Sequence, residues 1–279
     1  MKQEIAICWL RRDLRLIDNT ALFHALKSGY KVLIVFIFDT NILDKLPSPK
    51  DARVTFIFEV LQAIDEELKK HGSSLYVAHG TPEDCFKKIT SAFQVKEVHA
   101  NHDYEPYAIE RDAGISKMLQ QQNIGFLSYK DQVIFEKSEV MKADGTPYTV
   151  YTPYSNIWKQ RFAAHPPVDY PSEKLLSHLI SHEPFHFPTL AEMGFDKVSS
   201  IPLQPQIDEN IIRDYEKTRN IPGIEGTSRL SPYLRFGIVS TRQMVKLAQR
   251  LNGQWLNELI WREFFMMILF HFPHVLNHS

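Results

Sequence analysis

An α/β fold, with a doubly wound parallel sheet followed by an all-α region, is what this sequence of 279 residues predicts. Three observations carry the prediction. Short β-branched runs alternate with helical patterns through the first half, those runs are apolar on both faces, and no strand pattern returns from Ile207 onward. Strands buried on both sides and separated by helices belong to a parallel sheet.

The strands are expected at Ile5 to Leu10, Val32 to Phe38, Ser74 to Ala78, Glu97 to Ala100 and Gly125 to Tyr129, and the helices between them at Thr20 to Lys27, Arg53 to Lys70, Pro82 to Phe93 and Pro106 to Gln122. Asp18 and Asn19 offer side-chain oxygens at the first helix start. Thr81-Pro82 pairs a hydroxyl cap with proline in the first turn, and Gly29 and Gly72 follow helix ends. This α/β domain is placed at residues 1–130. Asp144-Gly145 then marks a tight turn, and Pro147 to Tyr154 reads as extended before a short helix around Trp158. Seven of the sixteen prolines fall between Pro166 and Pro205, so residues 131–206 read as an interdomain connector whose order composition leaves open. Residues 207–279 form the helical domain.

Apolar residues at 44% and charged residues at 23% exclude a disordered chain, and two cysteines, Cys8 and Cys85, exclude a disulfide framework. Arg11, Arg12 and Asp13 interrupt the first apolar run, which argues against a secretory signal, and no stretch approaches about 18 uncharged apolar residues. A reducing cytoplasm is the expected home. With a net charge of -1, a polyanionic partner needs a local patch. One is suggested between Ile211 and Arg262, where nine Lys or Arg stand against four acids, although starting at Ile207 cuts that excess of five to three. Arginines interleaved with aromatics are what stacking on unpaired bases requires, and a solvated basic face is the alternative.

Chemistry-bearing motifs are partly defined by what is missing. There is no GxGxxG after the first strand, no GxxxxGK[ST] and no GxSxG. His182-Glu183-Pro184-Phe185-His186 matches HExxH by letter, and His271, His274 and His278 gather near the end. That zinc pattern needs a helix, which Pro184 opposes, so no metal is expected.

Two stretches point to a binding site. In Gly226 to Leu234, Ser231-Pro232 reads as a helix entrance, and Thr227, Ser228 and Arg229 ahead of it would suit a diphosphate; an ordinary capped helix is the plainer reading. In Trp255 to Phe265, helical spacing puts Trp255, Glu258 and Arg262 on one face with Trp261 at its border, and Leu256, Ile260, Phe264 and Met267 opposite. On so apolar a helix, Glu258 and Arg262 need partners, either each other or polar groups of a flat ligand walled by the tryptophans.

These residues bring a family into view. The sequence resembles the photolyase and cryptochrome family, most closely the bacterial class I cyclobutane pyrimidine dimer photolyases, through CWLRRDLRLIDNTAL, NHDYEPYAIERD, GTPYTVYTPYSNIW, Tyr215 ahead of GTSRLSPYLRFG, and WLNELIWREF. The resemblance implies a monomeric blue-light enzyme in which reduced FAD passes an electron to a flipped-out pyrimidine dimer in DNA and recovers it after ring opening. It implies that Tyr215, Thr227, Ser228, Arg229, Leu230, Ser231, Trp255 and Arg262 hold FAD. Arg219, Glu258, Trp261 and Arg262 would face DNA, with Glu258 and Trp261 at the lesion, and Glu105 would bind an antenna such as methenyltetrahydrofolate. A cryptochrome-type light sensor and a non-catalytic nucleotide- or antenna-binding module are the alternatives. Family members continue well beyond the WREF helix, whereas this sequence stops at Ser279. The expectation is therefore a partial FAD-binding domain, a helix from Trp255 short of packing, weak FAD binding and no repair by this chain.

Overall fold

The computed structural model describes residues 3–277. Five strands, β1 (Glu4–Leu10), β2 (Lys31–Asp39), β3 (Tyr76–Gly80), β4 (Gln94–Asn101) and β5 (Gly125–Tyr129), form one sheet in the order β3-β2-β1-β4-β5. All neighbours run parallel; Cys8 sits opposite Ile34 on one side and His99 on the other. Ile5, Ala6, Ile7 and Cys8 at the centre have no exposure, as continuous apolar runs require when both faces are covered. Helices α1 (Thr20–Leu26), α2 (Thr40–Leu43), α3 (Ala52–Lys69), α4 (Pro82–Ala92) and α5 (Pro106–Gln120) alternate with the strands. Phe86 and Ile89 of α4 and Ile115 and Leu119 of α5 share one core with Ile5, Ile7 and Leu33. Leu22 of α1 and Leu61 and Leu68 of α3 pack with Ala6, Cys8 and Ile34 on the other face. The sheet is doubly wound, as expected.

Local chemistry explains the boundaries. Asn19 caps α1 by accepting from the Leu22 amide, and Thr81 caps α4 by accepting from the Asp84 amide. Asp18 does not cap: its backbone is left-handed, and its carboxylate accepts from the Tyr170 amide and the Arg242 guanidinium. Strand β3 starts two residues later than expected because the Leu75 amide donates to Asp65 and the Ser74 hydroxyl accepts from the Phe185 amide. The single-turn α2, capped by Asp39, is too short to show a periodicity.

Helix α6 (Tyr151–Ala164) begins inside the segment expected to be extended. Pro153 sits in its first turn, where an amide has no intrahelical acceptor to lose. The proline-rich stretch after it is ordered against the sheet: Leu179 bridges Val32, the Ile180 amide donates to the Val32 carbonyl, and Leu176, Leu190 and Met193 are buried. The helices α7 (Glu209–Arg213), α8 (Tyr215–Thr218), α9 (Ser231–Arg235), α10 (Thr241–Leu251) and α11 (Gly253–His271) follow. Contrary to the expectation of missing packing, α11 buries Trp255, Leu256, Leu259, Ile260, Glu263, Phe264 and Met267. Helix α6 supplies the cover, with Tyr151 stacked on Trp261 at 3.7 Å and Tyr154 against Phe264. Among the large apolar side chains described on α11 only Phe265, 60% exposed, stands out in water.

The sheet and the helices share a polar junction. Buried Asp131 accepts from Arg15 and Arg242, and Arg242 also holds Asp18. Burial would raise the Asp131 carboxyl, but the two guanidiniums outweigh it and hold it down at about 2. Beside this network Gly237 adopts φ 63°, and a Cβ there would lie 2.2 Å from the Arg12 carbonyl oxygen. Only glycine lets the turn after α9 approach the end of β1 so closely.

Candidate functional site

The short helices and loops of residues 201–234 face α11 across a cavity of about 1110 Å³. Its lining includes Tyr215, Thr227, Ser228, Arg229, Leu230, Ser231, Trp255, Glu258 and Arg262. Residues from three separate motifs therefore meet in one hollow. Trp261 is not among the lining residues; its ring lies on the neighbouring face of α11, between Tyr151 and Phe265. Arg219 is outside the lining too and pairs with Glu258 at the rim.

Each wall has a local cause. Asn252 caps α11 by accepting from the Gln254 and Trp255 amides, which sets Trp255 in the first turn, facing the hollow. Gly226 closes the loop after α8 against Thr218, whose hydroxyl donates to the Gly226 carbonyl; a Cβ on Gly226 would meet Thr218 at 2.7 Å. Helix α9 starts at Ser231 with Leu230 in the cap position and no side-chain cap bond. Ser231 is thus inside the helix rather than its cap, because Leu230 has helical backbone angles where a capping residue is extended.

Glu258 and Arg262 do not pair with each other. Glu258 faces Arg219, while Arg262 donates to the carbonyls of Gln132 at 2.7 Å and Leu234 at 3.2 Å. Burial lowers the Arg262 guanidinium to about 10, which leaves it charged at neutral pH and fixed in orientation by two neutral acceptors. The basic excess of this region is internally matched. Arg213, Lys217, Arg219, Arg229, Arg235, Arg242, Lys246 and Arg250 each face a carboxylate, and Arg262 faces carbonyls. An uninterrupted stripe of unpaired cations is therefore not what the composition produces.

A second cavity of about 560 Å³ lies at the C-terminal ends of β1 and β2. Its floor is Trp9, Phe36 and Phe38, and Glu105, Tyr107 and Arg111 stand among its polar lining. Glu105 accepts from Arg12 at 2.7 Å and from Arg235 at 2.8 Å. Burial alone would raise its carboxyl, but Arg12 and then Arg235 hold it down at about 2. Ser231, Pro232 and Arg235 of α9 line both cavities, so α9 is the partition between them.

Sequence reasoning missed Glu263. It is 2% exposed, and its carboxylate accepts from the Ile134 and Phe135 amides at 2.6 and 2.9 Å and from the Trp158 indole at 2.5 Å. Burial pushes its carboxyl up to about 7 against those donors. The signal was present: a carboxylate on the apolar face between Ile260, Phe264 and Met267 demands buried donors. Gln132, whose carbonyl anchors Arg262, carried no such signal.

Among the described residues, no three His, Cys, Asp or Glu side chains converge in a metal-binding group. His182 packs on Phe185 and His186 meets Glu192 outside any helix; His278 lies outside the described residues. No helix among the described residues is long and apolar enough to cross a membrane.

The family model for DNA photolyase matches residues 6–172. The chain is 30% identical to a deoxyribodipyrimidine photo-lyase of Synechococcus sp. PCC 6301, over 95% of this chain and 60% of that one. It is also 30% identical to an uncharacterised 31.6 kDa protein of Synechococcus sp. PCC 6716, over 95% of this chain and all of that protein. Among solved structures, a class III photolyase of Agrobacterium tumefaciens superposes with a TM-score of 0.80 at 25% identity, covering 99% of this chain and 61% of that one. The chain thus spans about 60% of the length of the photolyases it matches.

Proposed function

The chain belongs to the DNA photolyase family, and from that membership we propose that the cavity against α11 is an FAD site of a deoxyribodipyrimidine photolyase. The observation that carries this reading is the convergence of Tyr215, Thr227 to Ser231, Trp255 and Arg262 on one hollow. The residues fit the group. Three hydroxyls and the Arg229 guanidinium at one part of the lining suit phosphates, and the Trp255 indole and Tyr215 ring suit a flat ring system. The volume, about 1110 Å³, lies just above the range of ordinary ligand pockets, which run to about 1,000 Å³.

Bound and reduced, FAD would supply light-driven electron transfer to a pyrimidine dimer in DNA. The protein's own part is positional. Thr227, Ser228, Ser231 and Arg229 would hold the phosphates, and Trp255 would shield the ring system from water. Arg262 presents a cation whose position is set by Gln132 and Leu234. Glu258 at the rim, with Arg219 and the neighbouring Trp261, would meet the flipped-out lesion. For the chain on its own we propose weak FAD binding and no dimer splitting. The test is to add FAD to the purified chain, record the flavin bands, and illuminate it with a dimer-containing oligonucleotide. Flavin retention with no ring opening is expected; efficient splitting overturns the assigned inactivity, and absence of flavin binding overturns the site.

The second reading is a non-catalytic nucleotide- or antenna-binding module. One observation favours it: the separate cavity bearing Glu105. Under this reading a folate or other planar chromophore occupies the cavity over Trp9 and Phe36. A folate-type absorption band without a flavin band would select it.

A further inference from the structure

We propose that Glu225 is a gate on the phosphate-binding part of the FAD cavity, competing with the ligand's anionic groups for Arg229. The inference rests on the FAD reading of that cavity and adds to it a specificity-determining carboxylate. Glu225 and Arg229 both line the cavity, and Arg229 Nη2 donates to Glu225 Oε1 at 2.8 Å. A carboxylate on an incoming diphosphate's principal cation is unfavourable twice over, since it occupies the donor and repels the ligand.

The backbone makes the arrangement specific. Arg229 has φ 50°, a left-handed angle that a non-glycine residue adopts at a cost and that recurs where strain serves a site. Glu225 is placed by the loop base, where Gly226 abuts Thr218 and leaves no room for a side chain. The carboxylate therefore sits one residue before a rigid point. The two side chains are 74% and 79% exposed, so the pair is cheap to break; it moderates affinity and does not block entry. A ligand that brings two phosphates can displace it, whereas one that brings none leaves it intact.

The experiment compares FAD with riboflavin, which shares the ring system but has no phosphate, by fluorescence titration of the whole chain at low salt. The variants are Glu225→Gln, Arg229→Met and both together. Glu225→Gln is expected to tighten FAD binding about threefold, an effect of the size known for exposed ion pairs, and to leave riboflavin binding unchanged. The gain should vanish in the Arg229→Met background and shrink at high salt, as screening requires. An unchanged or weakened FAD affinity in Glu225→Gln overturns the gate, as does an equal gain for riboflavin or a gain that persists without Arg229. Riboflavin binding by all variants alongside such a result would show that the cavity reading survives while the gate fails. Absence of flavin binding by every variant removes both.

Discussion

The sheet and the cavity wall are built by different means. In the sheet, strands pair along their whole length and central residues such as Ile7 and Leu33 are fully buried, so local apolar pattern and backbone pairing suffice. The wall is made of α7, α8 and α9, of five, four and five residues, lengths at which a helix has no independent stability. What holds them is distant: Arg235 to Glu105, Arg250 to Glu209, Arg219 to Glu258, and the Tyr233 hydroxyl to the Pro202 carbonyl. A scaffold can thus be encoded locally, while the cavity it carries depends on partners far apart in sequence.

The contrast is broken most severely where the two regions touch. Gly237→Ala places a Cβ in the Arg12 carbonyl at an unfavourable φ, with backbone on both sides of the clash. A loss of about 4 kcal/mol in urea unfolding is expected; a change within about 0.5 kcal/mol, the ordinary range of a surface substitution, would show that the junction yields. Next comes Asp131→Asn, which leaves the buried Arg15 and Arg242 sharing only the remaining acceptors. About 3 kcal/mol should be lost, as for breaking a buried ion pair from one side.

Acidity separates the two carboxylates that serve these regions. The folded-state value of Asp131, about 2, lies below its ordinary 3.8, so its contribution is present above about pH 4 and is lost as pH falls towards 2. Glu263 has the opposite sign: raised from 4.5 to about 7, it favours the folded chain fully below 4.5, and that contribution is lost as pH rises through 7. Unfolding measured across this range should show stability declining by about 3 kcal/mol between pH 4.5 and 7, and Glu263→Gln should flatten that decline while leaving the acid limb in place. A decline that persists in Glu263→Gln would assign it to another group.

Five strands, four of the helices between them and two caps were legible because periodicity and capping are local. The left-handed Asp18 was not, since its role is set by Ser240 and Arg242, more than two hundred positions away. The same holds for the cations from Arg213 to Arg250, whose excess reads as a patch until Glu105, Asp169 and Asp131 are brought to them. Helix α6 was half hidden by Pro153, whose usual meaning as a helix breaker does not apply in a first turn. At the site, the motif residues were legible by resemblance and by chemistry; that Trp261 lies against Tyr151 beside the cavity was not, because the stack joins α11 to a helix more than a hundred residues earlier.

The most direct test of the central claim is an FAD titration of the whole chain and of Trp255→Ala, with Glu105→Gln as a control in the second cavity. The cavity against α11 predicts that Trp255→Ala weakens FAD binding by about tenfold, the size of a lost aromatic stacking wall, and that Glu105→Gln changes it little. Equal binding by Trp255→Ala and the unaltered chain, or a loss confined to Glu105→Gln, would place the flavin elsewhere.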